Sequence, residues 1–167
     1  LEISEPPHSA TIKHWRRVIR GKFAGLFGAG AQSAAYWGGA DNLTASILFS
    51  FGEHVGMAVK LKTDLKELGN IKFVKQKIKY YELWSPICFL LHECLPDNQR
   101  LEISKKIQNE ADDPETVNEI LNLIKEHDLT DMVKSEAEKE LKLAKECLLN
   151  LEIDTRPLLP LTQFSVI

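Results

Sequence analysis

Two acidic side chains, Asp64 and Glu67, have the spacing in this sequence that best suits joint chemistry. They lie three residues apart in an apolar, glycine-containing stretch, residues 52–67, which has the periodicity of a helix. With about 3.6 residues per helical turn, both carboxylates point the same way and could hold one divalent cation. Because Mg²⁺ prefers oxygen ligands on a rigid element, this is the geometry that a magnesium–diphosphate site needs. The acidic pair alone favours the simpler alternative, a solvated helix face with an i,i+4 pair between Lys60 and Asp64.

A third candidate, Lys22, stands before a segment rich in glycine and alanine, residues 24–35. Its compact point charge suits phosphate oxygens, whereas a lysine taken alone is more often an ordinary exposed basic residue. Each glycine costs a helix about 0.5–1 kcal/mol relative to alanine. Several of them, together with Gly52 and Gly56 in the next segment, indicate either close helix packing or space for a ligand. Both explanations stay open at this point.

The elements that must position these residues are helices. No sustained alternation of apolar and polar residues and no Asn-Gly or Asp-Gly hairpin signal occurs. The first helix is predicted to start at the N-cap Ser9 and to end at Tyr36, before two glycines. The second is predicted from Asp41 or Asn42 to Leu68. After these we expect a basic connector at 72–79, an aromatic and apolar segment at 80–95, and helices at about 97–110, 113–127 and 130–152, all in one domain, 1–167.

Composition excludes several classes of protein. The 167 residues include 21 basic and 24 acidic side chains, a balance that offers no electrostatic case for nucleic acid or an anionic membrane. The three cysteines have neither zinc-ligand nor redox spacing, which favours buried thiols in a reducing compartment. No apolar run reaches eighteen residues, so we predict a cytoplasmic protein. Because the chain begins with leucine, we expect translation to start upstream.

The order of these features resembles the trans-polyprenyl diphosphate synthase family of the isoprenoid synthase superfamily. Residues 22–27, Lys-Phe-Ala-Gly-Leu-Phe, are similar to the family's Lys-Thr-(small)-x-Leu-Phe helix. Residues 52–67 are similar to its second aspartate-rich motif, Gly-x-Ala-Phe-Gln-x-x-Asp-Asp-x-x-Asp. Residues 83–91 resemble its Thr-Leu-Pro helix start, and 137–151 resemble its C-terminal helix. The resemblance covers the whole chain but only about the C-terminal half of a family member.

This resemblance implies an all-α isoprenoid synthase-type bundle around a central cavity, of which the chain forms the C-terminal part. It implies a Mg²⁺-dependent prenyltransferase that joins an allylic prenyl group to isopentenyl diphosphate or another acceptor. Lys22 and Asp64 are then the catalytic residues, and Asp64 and Glu67 hold the metal. Lys60 and Thr63 join Lys22 in binding the substrate. As macromolecular partner we expect a second copy of the chain or the missing upstream half, and no nucleic acid.

Several residues depart from the family's pattern. Thr63 takes the place of the first aspartate of the second motif, Glu67 that of the third, and Lys60 that of the preceding glutamine. Phe23 replaces the threonine after the lysine, and Glu82 falls where a basic residue is usual. The first aspartate-rich motif does not occur in this sequence. Two alternatives therefore stand beside the prenyltransferase: a catalytically inactive homologue that acts as a regulatory or partner subunit, and an unrelated helical interaction domain.

Overall fold

Every regular element in the described part of the chain is a helix. A computed structural model describes residues 11–79 and 84–163, so the predicted N-cap Ser9 and the residue Glu82 lie outside it. The predicted all-α class is confirmed. The α-helices are α1 (Ile12–Ile19), α2 (Gly25–Trp37), α3 (Asn42–Leu68), α4 (Ile71–Lys79), α5 (Ser85–Phe89), α6 (Asp97–Asn109), α7 (Pro114–Glu126) and α8 (Leu129–Leu149). Two π-helical turns (Arg20–Ala24 and Leu90–Cys94) and a 3₁₀-helix (Arg156–Thr162) complete the set.

The chain divides into two compact units, each made of two separate stretches. The first unit contains Leu1–Arg16, in its described part, and Thr63–Val133. The second contains Arg17–Lys62 together with the residues from Lys134 onward. The boundaries fall within α1, α3 and α8. The single domain expected from the sequence stays a prediction.

In the second unit, α2 and the π turn before it lie directly against α3. A Cβ atom placed on Gly52 would sit 2.5 Å from the carbonyl oxygen of Phe27, and one on Gly56 would sit 2.7 Å from the Cα atom of Ala24. These distances leave no room for a side chain, so at these two positions the glycines serve close helix packing. The apolar core of the same unit also draws on α8; its buried members are Ala35, Ala45, Leu48, Phe51, Val55, Ala144 and Leu148.

In the first unit, the short helices bury a compact set of large side chains. Trp15 and Phe89 meet edge to face, with ring centroids 6.1 Å apart. Arg100 joins α6 to the second π turn, because its Nε donates to the carbonyl oxygen of Leu91 (2.6 Å) and its guanidinium also donates to that of Leu95 (3.3 Å). Arg100 thereby satisfies carbonyls that a helix leaves without partners at its C-terminal end.

The predicted ends of α2 and α3 are confirmed, and local capping explains them. The chain leaves α2 through Gly38 and Gly39, and Gly39 has φ +81°, which favours glycine. Asp41 caps α3 by accepting a hydrogen bond from the backbone N–H of Thr44 (2.7 Å). That N–H and the Thr44 hydroxyl hold the pKa of Asp41 below its ordinary value. Asp113 caps α7 in the same way.

One prediction about a connecting segment is wrong, and one further short helix was not predicted. Residues 72–79, predicted to be a basic connector, form most of helix α4. Val74 and Ile78, four residues apart, are fully buried on one face of this helix, and that burial stabilises it despite its many lysines. Near the end of the chain, Arg156–Thr162 forms a 3₁₀-helix beyond the last helix predicted from the sequence, 130–152. None of the described helices combines the length and the apolar character that crossing a membrane requires.

Candidate functional site

Asp64, the central residue of the predicted site, is fully buried in the first unit. Its Oδ2 atom accepts a hydrogen bond from the backbone N–H of Ser85 over 3.0 Å. The indole Nε1 of Trp84 donates to the backbone carbonyl oxygen of Asp64 over 3.2 Å. Trp84 and Ser85 are themselves fully buried. Asp64 therefore joins the C-terminal part of α3 to the start of α5.

The start of α5 explains why a carboxylate is needed there. The first residues of a helix have N–H groups without partners inside the helix. Pro86, in the first turn, removes one of them, and no side chain at the N-cap position, Trp84, accepts from the others. Asp64 supplies the acceptor from another helix, and its negative charge is favourable at the positive end of the helix dipole. Asp64 thus acts as a helix cap.

Glu67 and Asp64 contact different partners. The Oε2 of Glu67 lies 3.5 Å from the Nζ of Lys77 on α4, and both side chains are largely buried. No group of three His, Cys, Asp or Glu side chains that could hold a metal occurs among residues 11–79 and 84–163. Asp64 and Glu67 therefore do not fit a magnesium centre that is complete within the described chain. Their roles as metal ligands and, for Asp64, as a catalytic residue stay predictions.

Two other predicted site residues, Thr63 and Lys60, differ in solvent exposure and belong to different units. Thr63 belongs to the first unit and is exposed, whereas Lys60 belongs to the second and is half-buried. Both residues also interact with other groups of the protein. Their predicted contact with a substrate stays a prediction.

Lys22 is exposed and lies in the π-helical turn between α1 and α2. Such turns are rare and occur frequently at functional sites. In the same turn, Ala24 is buried and packs directly against Gly56 of α3, which positions the turn on that helix, and the Nε of Arg20 lies 3.7 Å from the Oε2 of Glu53. Lys22 therefore stands with an exposed side chain on a positioned piece of backbone, which agrees with a role in anion binding.

Two polar contacts that the fold creates between distant residues were not predicted from the sequence. Ser85 reaches Asp64 across 21 positions, and the Nδ1 of His54 lies 2.7 Å from the Oε2 of Glu140 across 86 positions. Ser85-Pro86 is a helix-start signal, so the sequence could have indicated that an acceptor was needed there. No signal in the sequence identifies Asp64 as that acceptor, or pairs His54 with Glu140.

Replacing Asp64 with alanine should lower the stability of the first unit by about 1–3 kcal/mol, the usual cost of leaving a buried N–H without its acceptor. Asp64→Asn keeps an acceptor oxygen and should cost less. Thermal or urea unfolding of the intact protein, followed by circular dichroism, measures both. Asp97→Ala is the matched control, because this carboxylate lies in the same unit with a side chain that is 94% exposed, where its ion pair with Arg100 contributes less than about 1 kcal/mol. Equal stability of Asp64→Ala and the control would refute the capping role.

Two solved structures share the fold of this chain. A decaprenyl diphosphate synthase from Rhodobacter capsulatus matches 93% of the chain with a TM-score of 0.75 and 23% sequence identity. A polyprenyl synthase from Roseobacter denitrificans matches 95% of it with a TM-score of 0.82 and 20% identity. The match covers 48% and 54% of those proteins, so the chain spans about half their length. No protein-family model matches the sequence, and no curated protein matches it.

These likenesses establish the fold. The predicted resemblance to polyprenyl diphosphate synthases is confirmed at that level, and so is the isoprenoid synthase-type helical class. Which half of such a protein the chain corresponds to, and whether its altered motif residues still work, stay predictions.

Proposed function

We propose that this chain is part of a prenyltransferase, and that the intact protein transfers an allylic prenyl group to isopentenyl diphosphate or another acceptor. The observation that carries the proposal is the fold shared with two polyprenyl synthases over almost the whole chain. Folds host more than one activity, so the proposal also depends on what individual residues can do.

In this proposal Lys22 binds the diphosphate. Its exposed ammonium can reach phosphate oxygens, and the packing of Ala24 against Gly56 positions the turn that carries it. Thr63 and Asp64 belong to the first unit, whereas Lys22 belongs to the second, and the substrate contact of Thr63 and the catalytic role of Asp64 stay predictions. Asp64 and Glu67 remain the proposed magnesium ligands, and a complete site would need further ligands from outside the described residues, because no group of three acidic, His or Cys side chains that could hold a metal occurs among those.

The exposed face of α2 supports an assembly with further protein. Leu26 and Trp37 have 70% and 94% of their surface exposed, and the residues between them on this face are small and also exposed: Ala29, Gly30, Ser33 and Ala34. A contiguous apolar surface of this kind usually marks a contact with another chain or segment. We propose that the part of the fold missing from this chain, or a second copy, covers α2.

A second candidate function is that of a catalytically inactive partner subunit. The burial of Asp64 and the ion pair of Glu67 with Lys77 favour this function, since both acidic side chains interact with the protein itself. The lysine and threonine at positions 60 and 63 favour it as well, because neither adds a negative charge. Such a subunit would stabilise or regulate an active partner of the same fold.

The thiols support the proposed cytoplasmic location. The three cysteines, Cys88, Cys94 and Cys147, form no disulfide. Burial raises the pKa of the Cys94 and Cys147 thiols above the ordinary value, with a smaller contribution from the neighbouring glutamate in each case. Both thiols are therefore protonated near neutral pH, which lowers their reactivity.

Calorimetric titration of the intact protein with a non-hydrolysable allylic diphosphate, with and without Mg²⁺, tests the proposal. If the protein is a prenyltransferase, binding should depend on Mg²⁺ and should weaken at least tenfold in Lys22→Gln. A tenfold change in affinity corresponds to the loss of about 1.4 kcal/mol, which is within the usual contribution of a charge-assisted hydrogen bond. Lys125→Gln, an exposed lysine at the end of α7, should bind as the wild type does. Absence of binding, or binding that ignores both Mg²⁺ and Lys22, would favour the inactive partner subunit.

A further inference from the structure

The first π turn, Arg20–Ala24, joins α1 to α2, and the burial of its neighbours explains its shape. Ile19 and Ala24 are both buried in the second unit, although they lie five positions apart. An α-helix brings residues three or four positions apart to one face, whereas a π turn closes i→i+5 hydrogen bonds and holds one residue more. The turn therefore allows α1 to continue into α2 while both side chains are buried.

Gly25 follows this turn, and the shape of the turn depends on its missing side chain. The backbone N–H of Gly25 donates to the carbonyl oxygen of Arg20, five positions earlier. A Cβ atom on Gly25 would lie 2.7 Å from that oxygen, and Cβ contacts below 3.0 Å are essentially never seen. Both groups in this contact belong to the backbone, so no side-chain rotation can relieve it.

Gly25 differs in this respect from the glycines that serve helix packing. Cβ atoms on Gly52 and Gly56 would meet α2 or the residue just before it, that is, atoms from another helix. Among the described residues beyond its own helical neighbours, a Cβ atom on Gly25 would meet only the carbonyl group of Arg20 within 4 Å. Gly25 is therefore required by the turn itself.

We infer that Gly25 is a positioning residue, which acts through the π turn to place Lys22 for binding diphosphate. Lys22 lies between Arg20 and Gly25, so its side chain projects from the stretch of backbone whose shape their contact sets. A Cβ atom at position 25 would push the carbonyl group of Arg20 away, and the backbone that carries Lys22 would change its course. This role of Gly25 rests on the proposed binding of diphosphate by Lys22, but not on prenyl transfer itself.

Calorimetric titration of the intact protein with inorganic diphosphate and Mg²⁺ tests this role without an allylic substrate. Gly25→Ala should weaken binding about tenfold, the loss also expected for Lys22→Gln. Gly21→Ala is the matched control, because Gly21 lies in the same turn and a Cβ atom there would have no described neighbour within 4 Å. The control should bind as the wild type does. Wild-type affinity in Gly25→Ala, or an equal loss in the control, would overturn the inference.

The double variant Gly25→Ala/Lys22→Gln separates positioning from a general loss of structure. If Gly25 acts through Lys22, adding Gly25→Ala to Lys22→Gln should weaken binding no further, so the two effects should be strongly non-additive. A full further loss of about tenfold, as additivity requires, would mean that Gly25 affects the site independently of Lys22, and it would overturn the inference.

Deletion of Gly21 gives a second test, which does not depend on the folding of Gly25→Ala. The deletion brings Ile19 and Ala24 to four positions apart, a spacing that a plain α-helix can bury on one face. We therefore expect a folded protein by circular dichroism, with weakened binding of diphosphate because the π turn is lost. Wild-type affinity in this folded variant would overturn the inference.

Failure of this role and failure of the proposed function give different results. A protein that transfers prenyl groups, with a diphosphate affinity that Gly25→Ala leaves unchanged, would overturn only the role of Gly25. A protein whose diphosphate binding depends on both Lys22 and Gly25, but which transfers no prenyl group, would support that role and contradict prenyl transfer. A wild-type protein that binds no diphosphate would overturn the role of Gly25 together with that of Lys22.

Discussion

Gly52→Ala is expected to destabilise the second unit by about 1–3 kcal/mol, even though alanine is the better helix former. The new methyl carbon would lie 2.5 Å from the carbonyl oxygen of Phe27 and 2.9 Å from the Cα atom of Gly28. Both neighbours are backbone atoms of α2, so no side-chain rotation can relieve the overlap. The two helices must move apart, and the core around Phe51 and Val55 loses contacts as they do.

Urea unfolding of the intact protein measures this effect against a matched control, Gly21→Ala. Gly21 also lies within a helical turn of the second unit, but a Cβ atom there would have no neighbour within 4 Å. The control should therefore gain up to about 1 kcal/mol from helix propensity alone. Stability changes of opposite sign in the two glycine variants would establish that the backbones of α2 and α3 are in direct contact. A gain in stability in both variants would contradict that packing.

Loss of the pair between His54 and Glu140 is the second large effect. His54→Ala should destabilise the protein by about 1.5–3 kcal/mol, the usual contribution of a hydrogen bond to a charged group. The Nδ1–Oε2 distance is 2.7 Å, and the side chain of Glu140 is only 2% exposed. Removing the imidazole therefore takes away a close partner from a carboxylate that water reaches poorly. The pair joins α3 to α8 within the second unit, so its loss should loosen α8.

A double-mutant cycle with Glu140→Ala separates the pair from general losses of packing. We expect the double variant to be clearly more stable than the sum of the two single losses predicts. Lys142→Ala is the control on α8: its ammonium lies 4.0 Å from Glu146 at an exposed position, where a pair contributes less than about 1 kcal/mol. Strict additivity in the cycle would mean that His54 and Glu140 do not act on each other.

Features of the fold that depend on nearby residues could be predicted from the sequence. Gly38 and Gly39 end α2, and Asp41 and Asp113 cap α3 and α7, because each acts on backbone within a few positions of itself. The close packing of α2 and α3 could also be anticipated, since glycine in a helix requires compensation. The structure then selects close packing over space for a ligand at Gly52 and Gly56.

Features that depend on distant residues could not be predicted. Asp64 and Glu67 look equivalent in the sequence because they share a helix face, yet their partners, Ser85 and Lys77, come from different helices. Helix α4 was missed for a related reason. Its lysines are typical of a solvated connector, and only the burial of Val74 and Ile78 on α6 and α7 makes the segment part of the core.

Product analysis tests the proposed prenyl transfer most directly. The intact protein is incubated with an allylic diphosphate, isopentenyl diphosphate and Mg²⁺, and the products are identified by mass spectrometry. We predict a prenyl diphosphate lengthened by whole isoprene units, and a much lower yield from Lys22→Gln than from Lys125→Gln. Recovery of both substrates unchanged, from protein that calorimetry shows to bind the allylic diphosphate, would contradict prenyl transfer to isopentenyl diphosphate. Another acceptor or the role of an inactive partner subunit would then be the better description.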